Sequence, residues 1–365
     1  MYTEVLKIIE GGITGDREKV YNYAKVFADN LEKEGDLSFS KKVRGVLGSK
    51  NTKLTSLDEF ATKPVDQESR MDIVDLDFPA DQFDNIVLNK YVQEEFEEFI
   101  KTYQHRDELL KAGVDINSSL LLYGPPGCGK TTIARYISFK TGLPLVTARF
   151  DALVSSLLGS TAKNIRKVFD YASKRECILF LDEFDVIAKL RNDKNELGEL
   201  KRVVNSLIQN IDDFNKNSIL IAATNHHELL DPAIWRRFSK VILLDKPYQN
   251  EIELYIRNDL NNTQTNFSFE DKKDKKFKQI VVALDGLSYA DIKTVLTNCI
   301  KKSVINKKMM VNNWDLLQEI YFFKHHNLND ENDFIKYLLI NGVTHNDINR
   351  IYGVSLRTIR ELSGK

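Results

Sequence analysis

A glycine-rich segment that begins at Gly124 has the residue types and spacing of a phosphate-binding loop. It reads GPPGCGKTT, follows an apolar run and opens a helix-forming stretch, as the pattern G-x-x-x-x-G-K-[ST] requires. Glycines let the backbone bend so that several N–H groups point at one anion, and the N-terminus of the next helix attracts the same anion. Lys130 can reach the β and γ oxygens of a triphosphate, and the Thr131 hydroxyl can bind Mg²⁺. The predicted phosphate-binding residues are Gly124, Pro125, Pro126, Gly127, Cys128, Gly129, Lys130, Thr131 and Thr132.

Two adjacent acids end another apolar run. Asp182 and Glu183 follow the residues CILFL, which have the composition of a buried strand. At the carboxyl edge of a parallel sheet both side chains would emerge beside the phosphate loop, where Asp182 can hold nucleotide and Mg²⁺ and Glu183 can be the general base for an attacking water. The alternative is that both acids cap the next helix. Their occurrence together with the phosphate loop favours the catalytic interpretation.

The elements that must position these residues are visible as alternating patterns. Short apolar runs at 120–123, 145–147, 177–181, 218–223 and 240–244 are separated by stretches with the three-to-four spacing of amphipathic helices. Such alternation is typical of βαβ units around a buried parallel sheet. The segments before residue 71 and after residue 249 contain helical patterns and no comparable apolar runs. We therefore predict an α/β domain flanked by helical regions.

Composition indicates a globular protein of more than one domain. The 365 residues are 42% hydrophobic and 29% charged, with 52 basic and 53 acidic side chains and a net charge of −1. That balance carries no whole-chain signal for nucleic acid. The first residues lack the pattern of a signal peptide, no run approaches ~18 apolar residues, and the three cysteines fit reduced thiols. We expect a cytoplasmic protein without a membrane span.

Four motifs in a specific order carry a family resemblance. GPPGCGKTT, ILFLDEFD, IAATN and LDPAIWRRF follow one another within residues 71–303, which resemble the AAA family of ATPases and include its Walker A and Walker B motifs. The resemblance implies ATP as the nucleotide and a P-loop NTPase module with a five-stranded parallel sheet in the order 5-1-4-3-2. It also implies a helical lid and a ring, usually a hexamer, with ATP at the subunit interfaces.

The same resemblance assigns three further catalytic residues. Asn225 ends the AATN segment, where the family has an amide that orients the attacking water. Arg236 and Arg237 fall where the family places arginine fingers, which stabilise charge in a neighbour's site. The segment here is shorter than the longer family version, so it does not distinguish the two arginines. The alternatives are a turn residue at Asn225 and surface ion pairs at the arginines.

Two other segments are implied to surround the base and ribose of the nucleotide. Gly286 and Ala290 belong to GLSYAD, which resembles the family's lid turn, and Ile86 and Val87 belong to the strip before the first helix of the module. The substrate loop departs from the family pattern because Leu157 stands where threading enzymes usually carry an aromatic residue. A leucine contacts an extended peptide with less area, or is simply a core residue.

The predicted domain boundaries follow these patterns. A helical N-terminal domain spans residues 1–62, the large ATPase subdomain 63–247, the helical lid 248–303 and a helical C-terminal region 304–365. Within the last, residues 334–362 resemble a helix-turn-helix, with Thr344 as the N-cap, Gly353 in the turn, and Arg357 and Arg360 facing outward. Asn349 departs from the small residue usual at its position. The segment is either a DNA-contacting element or a helical docking module.

The function that we predict is ATP-dependent remodelling of a protein by a homo-oligomer. Two alternatives stay open. One is a nucleic-acid-linked ATPase regulator of the transposition or defence type, which the C-terminal segment favours. The other is a nucleotide-gated adapter for a separately encoded protease. Whichever holds, we expect the N-terminal zone, residues 1–62, to recognise a partner or substrate, by analogy with the adapters that AAA proteins often carry there.

Overall fold

One mixed sheet forms the centre of the computed structural model. The structure describes residues 2–14, 17–33, 36–48, 63–65, 72–80, 83, 86–114, 116–149, 158–185, 197–214, 218–271, 274–307, 310–326 and 330–363. Within these residues the sheet has six strands in the order β1-β3-β4-β5-β2-β6. They are β1 (Val74–Asp77), β2 (Ser119–Tyr123), β3 (Leu145–Arg149), β4 (Ile178–Asp182), β5 (Ile219–Thr224) and β6 (Lys240–Leu243).

The predicted α/β fold class is confirmed, with one strand added. Strands β2 to β6 pair in parallel, and counting from β2 gives the predicted order 5-1-4-3-2. The sixth strand, β1, pairs antiparallel with β3, with Val74 opposite Ala148. It was not predicted, because its four residues, VDLD, lack the continuous apolar run by which the other strands were identified. Their alternation of aliphatic and acidic side chains is nevertheless that of a half-exposed edge strand.

Helices cover both faces of the sheet. In the described part of the ATPase subdomain they are α4 (Lys90–Gln104), α5 (Arg106–Lys111), α6 (Lys130–Thr141), α7 (Leu158–Ser173), α8 (Leu197–Asp212) and α9 (Pro232–Trp235). On one face Phe96 of α4 and Ile137 of α6 pack with Phe180 of β4. On the other, Phe169 of α7 and Leu207 of α8 pack with Leu181. The central strands are therefore buried on both sides, which explains their continuous apolar runs.

The N-terminal helices pack on one another. They are α1 (Tyr2–Thr14), α2 (Arg17–Lys33) and α3 (Leu37–Gly48). Ala28 is fully buried, and the Ser40 hydroxyl donates to its carbonyl oxygen at 2.9 Å. Arg44 of α3 pairs with Asp29 and Glu32 of α2, both at 2.7 Å. The helical character predicted for this region is observed across residues 2–48 wherever the structure describes them.

The described helices after residue 248 share one hydrophobic core. They are α10 (Gln249–Asp259), α11 (Lys275–Ala283), α12 (Tyr289–Ile305), α13 (Asn313–His325), α14 (Glu331–Ile340), α15 (His345–Tyr352) and α16 (Leu356–Leu362). One cluster of buried residues runs from Ile252 of α10 through Leu317 of α13 to Ile359 of α16. The predicted boundary between residues 303 and 304 falls inside this cluster. The four-domain division stays a prediction.

The C-terminal pair of helices has a tight turn between them. The Thr344 hydroxyl accepts from the backbone N–H of Asp347 at 3.1 Å, so Thr344 is the N-cap of α15. Gly353 ends α15 with φ of 70°, a left-handed conformation that favours glycine. Asn349 donates its side-chain N–H to the Val354 carbonyl at 2.8 Å, which gives this unusual residue a structural role in the turn. A helix-turn-helix that reads DNA stays a prediction.

None of the helices that the structure describes is both long and apolar enough to cross a membrane.

The shared core predicts the stability of two isoleucine variants. Ile359→Ala should lower the free energy of unfolding by about 2–4 kcal/mol, because it removes a fully buried side chain and leaves a cavity. Ile340→Ala is the matched control and should change it by less than about 0.5 kcal/mol, because Ile340 is 82% exposed. Urea denaturation followed by far-UV circular dichroism measures both. Equal effects of the two variants would contradict the packing described for α16.

Candidate functional site

The glycine-rich segment lies where β2 meets α6, and its backbone conformation requires glycine. Gly124, Gly127 and Gly129 have φ of 141°, 75° and 93°. A Cβ on Gly124 would lie 2.1 Å from the Leu244 carbonyl oxygen, and one on Gly127 would lie 2.5 Å from Ser288 Oγ. A Cβ on Gly129 would meet nothing within 4 Å among the described atoms, so only its φ requires glycine there. The loop is thus pressed between the end of β6 and the segment that begins α12.

Lys130 is the first residue of α6 and lies under this loop. Its side chain is buried, and Nζ donates to the carbonyl oxygens of Gly124 at 2.7 Å and Pro125 at 2.9 Å. Burial lowers the pKa of Lys130, and the nearby carboxylates of Asp182 and Asp185 oppose that shift. The ammonium is therefore held at the loop by backbone oxygens, in the position that the sequence pattern predicts for a phosphate-binding lysine.

Cys128 lies within the loop but points into the protein. It is 2% exposed and belongs to the cluster that includes Ile133 and Leu244. Burial raises the pKa of the Cys128 thiol, so the thiol is neutral near pH 7. Its side chain is consequently a packing group and not a reactive thiol.

The structure brings the predicted metal ligands together. The Thr131 hydroxyl on α6 donates to Asp182 Oδ2 at 3.2 Å, although the residues are far apart in the sequence. Parallel pairing causes this, since β2 and β4 end at the same edge of the sheet on either side of β5. Hydroxyl and carboxylate oxygens are hard ligands of the kind that Mg²⁺ prefers. The pair therefore fits a magnesium ion beside the phosphate loop.

Glu183 has an unusual backbone conformation. Its φ is 55°, which is uncommon for a residue with a side chain, and its N–H donates to Asp182 Oδ1 at 3.0 Å. The turn exposes the Glu183 side chain at the carboxyl end of β4, and the next N–H, that of Phe184, donates to the Ala223 carbonyl at 2.9 Å. Backbone strain of this kind concentrates at functional sites.

Asp185 is a residue of the site that the sequence analysis missed. Its carboxylate is buried at 2% exposure and accepts from the Thr224 hydroxyl and the Asn225 backbone N–H, both at 3.3 Å. These bonds fix the end of β5 against the end of β4. The signal was present in ILFLDEFD, whose last acid lies three residues after Asp182, but acids after a strand are also common in turns.

Asn225 carries an amide oxygen without a hydrogen-bond partner in the described structure. Its Oδ1 is buried, while its backbone N–H is held by Asp185. The preceding residue, Thr224, accepts the N–H of Gly124 at 3.3 Å, so Asn225 follows a strand that is bonded directly to the phosphate loop. An unpartnered buried amide oxygen is uncommon because it costs free energy, and this one lies at the end of β5, next to the phosphate loop.

The two arginines differ in their surroundings. Arg237 donates from Nε and Nη2 to the Asp212 carboxylate at 3.2 and 3.4 Å, and from Nη1 to the Ala233 carbonyl at 2.9 Å. Arg236 is exposed, and its side chain makes no hydrogen bond or ion pair with the described residues, although its backbone N–H donates to the Ile234 carbonyl. Neither arginine contacts the phosphate loop of its own chain within the described residues. The sequence did not distinguish the two arginines, whereas in the structure their side chains have different surroundings.

The lid turn reaches the phosphate loop directly. The Ala290 N–H donates to the Gly127 carbonyl at 3.1 Å, and Gly286 lies close by, accepting from Lys246 Nζ at 2.8 Å. A cleft of about 400 Å³ adjoins the loop at Cys128 and continues between α4, the end of β6 and Tyr289. Leu88 lines this cleft, whereas Ile86 packs against the core beneath α4 and α6.

The remaining predicted residues are less constrained by contacts. Val87 is partly buried and is not among the residues that line the cleft. Pro125 contributes its carbonyl to Lys130, and Pro126 contributes its carbonyl to the Cys128 thiol at 3.8 Å. Thr132 is exposed on the first turn of α6. The predicted substrate-loop residue, Leu157, lies outside the described residues.

Comparisons with known proteins agree with this geometry. Residues 120–246 match the family model described as ATPase family associated with various cellular activities (AAA). The chain is 38% identical over 248 residues to an uncharacterized AAA family ATPase, y4kL, of Sinorhizobium fredii, which covers 68% of this chain and 73% of that protein. It is 34% identical over 212 residues to proteasome-activating nucleotidase 1 of Haloferax volcanii, covering 56% of this chain and 51% of the relative.

A third relative is similar over a smaller part of its length. The chain is 34% identical over 187 residues to the ATP-dependent zinc metalloprotease FtsH 3 of Symbiobacterium thermophilum, covering 49% of this chain and 30% of the relative. The chain therefore spans about half or less of the two relatives that are named for proteasome activation and proteolysis, and nearly three quarters of y4kL.

The close approach at Gly127 predicts the effect of one added methyl group. Gly127→Ala should weaken nucleotide binding more than about tenfold, because the new Cβ collides with Ser288 and strains a left-handed backbone. Titration with a fluorescent ATP analogue measures the dissociation constant. Gly113→Ala is the matched control, since Gly113 has φ of 81° but a Cβ there would meet nothing within 4 Å. Unchanged affinity in Gly127→Ala would show that the loop does not bind the nucleotide as described.

Proposed function

The chain belongs to the AAA family of ATPases, and from that premise we propose that it hydrolyses ATP at interfaces between subunits in order to remodel a protein partner. Its reaction is the hydrolysis of ATP to ADP and phosphate. The observation that carries the proposal is the contact between Thr131 and Asp182, which lies beside a glycine loop with the sequence pattern of a phosphate-binding loop.

In the proposed mechanism the chain's own residues bind the triphosphate and prepare a water molecule. Backbone N–H groups of the phosphate loop and the ammonium of Lys130 bind the β- and γ-phosphates. Thr131 and Asp182 would hold Mg²⁺, which when bound neutralises charge on the phosphate oxygens. Glu183 accepts a proton from the attacking water, and Asn225 Oδ1 accepts a hydrogen bond from the same water and orients it for in-line attack.

The arginines support a site shared between two subunits. Arg236 is exposed and unpaired in the described structure, so its guanidinium is free to enter a site on another subunit and stabilise charge on the transferred phosphoryl group. Arg237 is bonded within its own chain to Asp212 on α8, and we assign it to holding the segment that carries Arg236. This division of roles supports a homo-oligomer, and we propose the hexameric ring that the family resemblance implies.

A protein substrate is favoured by two lines of support. Two similar proteins are named for proteasome activation and for ATP-dependent proteolysis, and both of these activities act on proteins. The N-terminal helices α1 to α3 expose aliphatic side chains such as Leu6 and Ile9, at 66% and 52%, which suits recognition of a partner. We assign partner recognition to this region. In one form of the proposal the chain acts as an adapter for a separately encoded protease.

The electrostatics of the C-terminal helices argue against DNA as the main ligand. Arg350 pairs with Asp347 at 2.8 Å, and Arg357 pairs with Glu361 at 3.1 Å. Of the four Lys and Arg side chains within residues 334–362, Lys336 is paired as well, with Asp333 at 3.6 Å, so Arg360 is the one left unpaired among the described residues. Affinity for DNA depends on unpaired basic groups that neutralise phosphates. The nucleic-acid alternative is therefore the less supported of the two.

The proposed general base predicts a separation of binding from turnover. Glu183→Gln should lower the steady-state rate of ATP hydrolysis by at least about 100-fold, because an amide cannot accept the proton of the attacking water. The dissociation constant of a fluorescent ATP analogue should change by less than about threefold, because glutamine keeps the size of the side chain and the assigned phosphate-binding groups are unchanged. Glu108→Gln, an exposed position on α5, is the control. Turnover near the wild-type rate would refute the assignment.

Mixing two inactive variants tests whether the site is shared. Arg236→Ala should lose roughly 10³-fold in turnover while it still binds nucleotide. Mixed with Glu183→Gln it should regain activity, because an intact Glu183 on one chain can then face an intact Arg236 on the next. Asp212→Asn and Arg237→Ala should resemble each other, since both remove the same ion pair. Mixtures no more active than their components, in oligomers shown by native mass spectrometry to exchange chains, would contradict catalysis in trans.

Capture of the substrate distinguishes the remaining classes. The Glu183→Gln variant, loaded with ATP, is expected to retain a protein partner that wild type releases on hydrolysis. Co-purification compared with and without ATP, followed by mass spectrometry and nucleic-acid extraction, measures this. ATP-dependent retention of DNA without protein, with a steep decrease at higher salt, would favour the regulatory alternative.

A further inference from the structure

The turn that precedes α12 determines where the lid meets the phosphate loop. We use the name lid turn for residues 284–291, which join α11 to the first turn of α12 and include the GLSYAD segment. Ser288 caps α12, and its hydroxyl and the Asp291 carboxylate bond to each other and to each other's backbone N–H groups. Ala290 then follows in the first turn of the helix and donates its N–H to the Gly127 carbonyl. Any displacement of the lid turn therefore moves the group that contacts the phosphate loop.

Two lysines bind the lid turn and its approach from different elements. Lys246, in the hinge after β6, donates to the Gly286 carbonyl at 2.8 Å. Lys324, near the end of α13, donates to the Ala283 carbonyl at 2.8 Å and the Asp285 carbonyl at 3.3 Å. Burial lowers the pKa of Lys324 and the nearby Asp285 opposes that shift, so the ammonium is part-buried against the turn.

The position of Lys324 is set by the C-terminal core. It lies on the same helix as Leu316, Leu317 and Ile320, each of which is fully buried in the cluster that extends to Ile359. This helix follows the residues that match the family model, which end at residue 246, and it also follows the predicted lid. The packing of the C-terminal helices thus fixes the point from which Lys324 reaches the lid turn.

A simpler interpretation is that Lys324 only satisfies carbonyl groups at the end of α11. Lysines often bind the last carbonyls of a helix, and such a contact stabilises the fold without affecting a ligand. The geometry here contains a second feature. The Asp285 carbonyl lies beyond the end of α11, within the lid turn. The chain continues from there through Ser288 to Ala290, whose N–H donates to the Gly127 carbonyl. The two interpretations predict different kinetic outcomes.

We propose that Lys324 is a positioning residue for the nucleotide site, through which the C-terminal helices set the affinity for ATP. The proposal rests on the proposed function in one respect, namely that ATP occupies the loop at Gly124–Lys130. Lys324 acts on nucleotide binding through the lid turn and not on the chemical step, because its contacts lie on the lid side of Gly127 and do not include Asp182, Glu183 or Asn225.

The test compares substitutions at Lys324 in the full chain. Lys324→Met keeps the length of the side chain and removes the donor, so KM for ATP and the dissociation constant of a fluorescent ADP analogue should rise roughly three- to tenfold. The value of kcat at saturating ATP should stay within about twofold, since the chemical groups are untouched. Lys324→Arg should retain near-wild-type affinity because it preserves the charge and the donors.

Two further variants provide a second test and a control. Lys246→Met removes the other lysine that binds the lid turn and should raise the same two constants. Lys301→Met is the matched control, because Lys301 is exposed on α12 and its side chain makes no hydrogen bond or ion pair with the described residues. Thermal unfolding, measured for every variant, identifies changes that are purely structural.

The outcomes separate this proposal from the proposed function. A rise in KM and in the dissociation constant for Lys324→Met, rescued in Lys324→Arg, supports the positioning role. A lower unfolding temperature with unchanged nucleotide constants would overturn it and leave Lys324 as a helix cap. A decrease in kcat with unchanged KM would also overturn it. Failure of the wild-type chain to bind nucleotide would instead refute the proposed function itself.

Discussion

The convergence of backbone N–H groups on one anion is the constraint on which the rest of this structure depends. A loop can present several such groups only if its residues adopt left-handed conformations and approach their neighbours closely, as Gly124 and Gly127 do. It must also lie between a strand and the start of a helix. The order of the sheet meets this requirement, because β2 is flanked by β5 and β6, and the carboxyl ends of β4 and β5 bring Asp182 and Asn225 to the same edge.

The features that the sequence predicts well are those in which a local pattern has only one physical interpretation. The glycine spacing requires a phosphate loop, and uninterrupted apolar runs such as 177–181 require strands buried on both faces. Parallel strands expose their chemistry at one edge, so the contact between Thr131 and Asp182 follows from the pattern without knowledge of any distance. The family resemblance then supplies the strand order, which composition and periodicity alone do not determine.

Features that depend on contacts between distant segments were not predictable in the same way. Strand β1 is short and polar, and it becomes a strand only because β3 offers it an edge. In the sequence Asp185 resembles any acidic residue in a turn. Its role is visible only in the fold, where it accepts hydrogen bonds from Thr224 and Asn225. The arginines are equivalent in sequence and differ only because Asp212 on α8 lies beside Arg237. Likewise, the helical pattern after residue 303 does not reveal that its apolar face completes the core of the lid.

Strand β1 also affects whether the edge of this sheet can pair with a strand from another copy of the chain. An open sheet edge offers unpaired N–H and C=O groups to any extended segment, and a high local concentration of identical subunits makes unwanted strand pairing easier. Strand β1 occupies the free side of β3 and presents Asp75 and Asp77 in alternation, both exposed, with Asp72 just before them. Asp77 is paired with Arg135 of α6 at 3.4 Å and Asp72 with Lys63 at 3.7 Å. Charged residues on an edge strand disfavour pairing with another chain, so an acidic β1 is the kind of border that protects a sheet from aggregation.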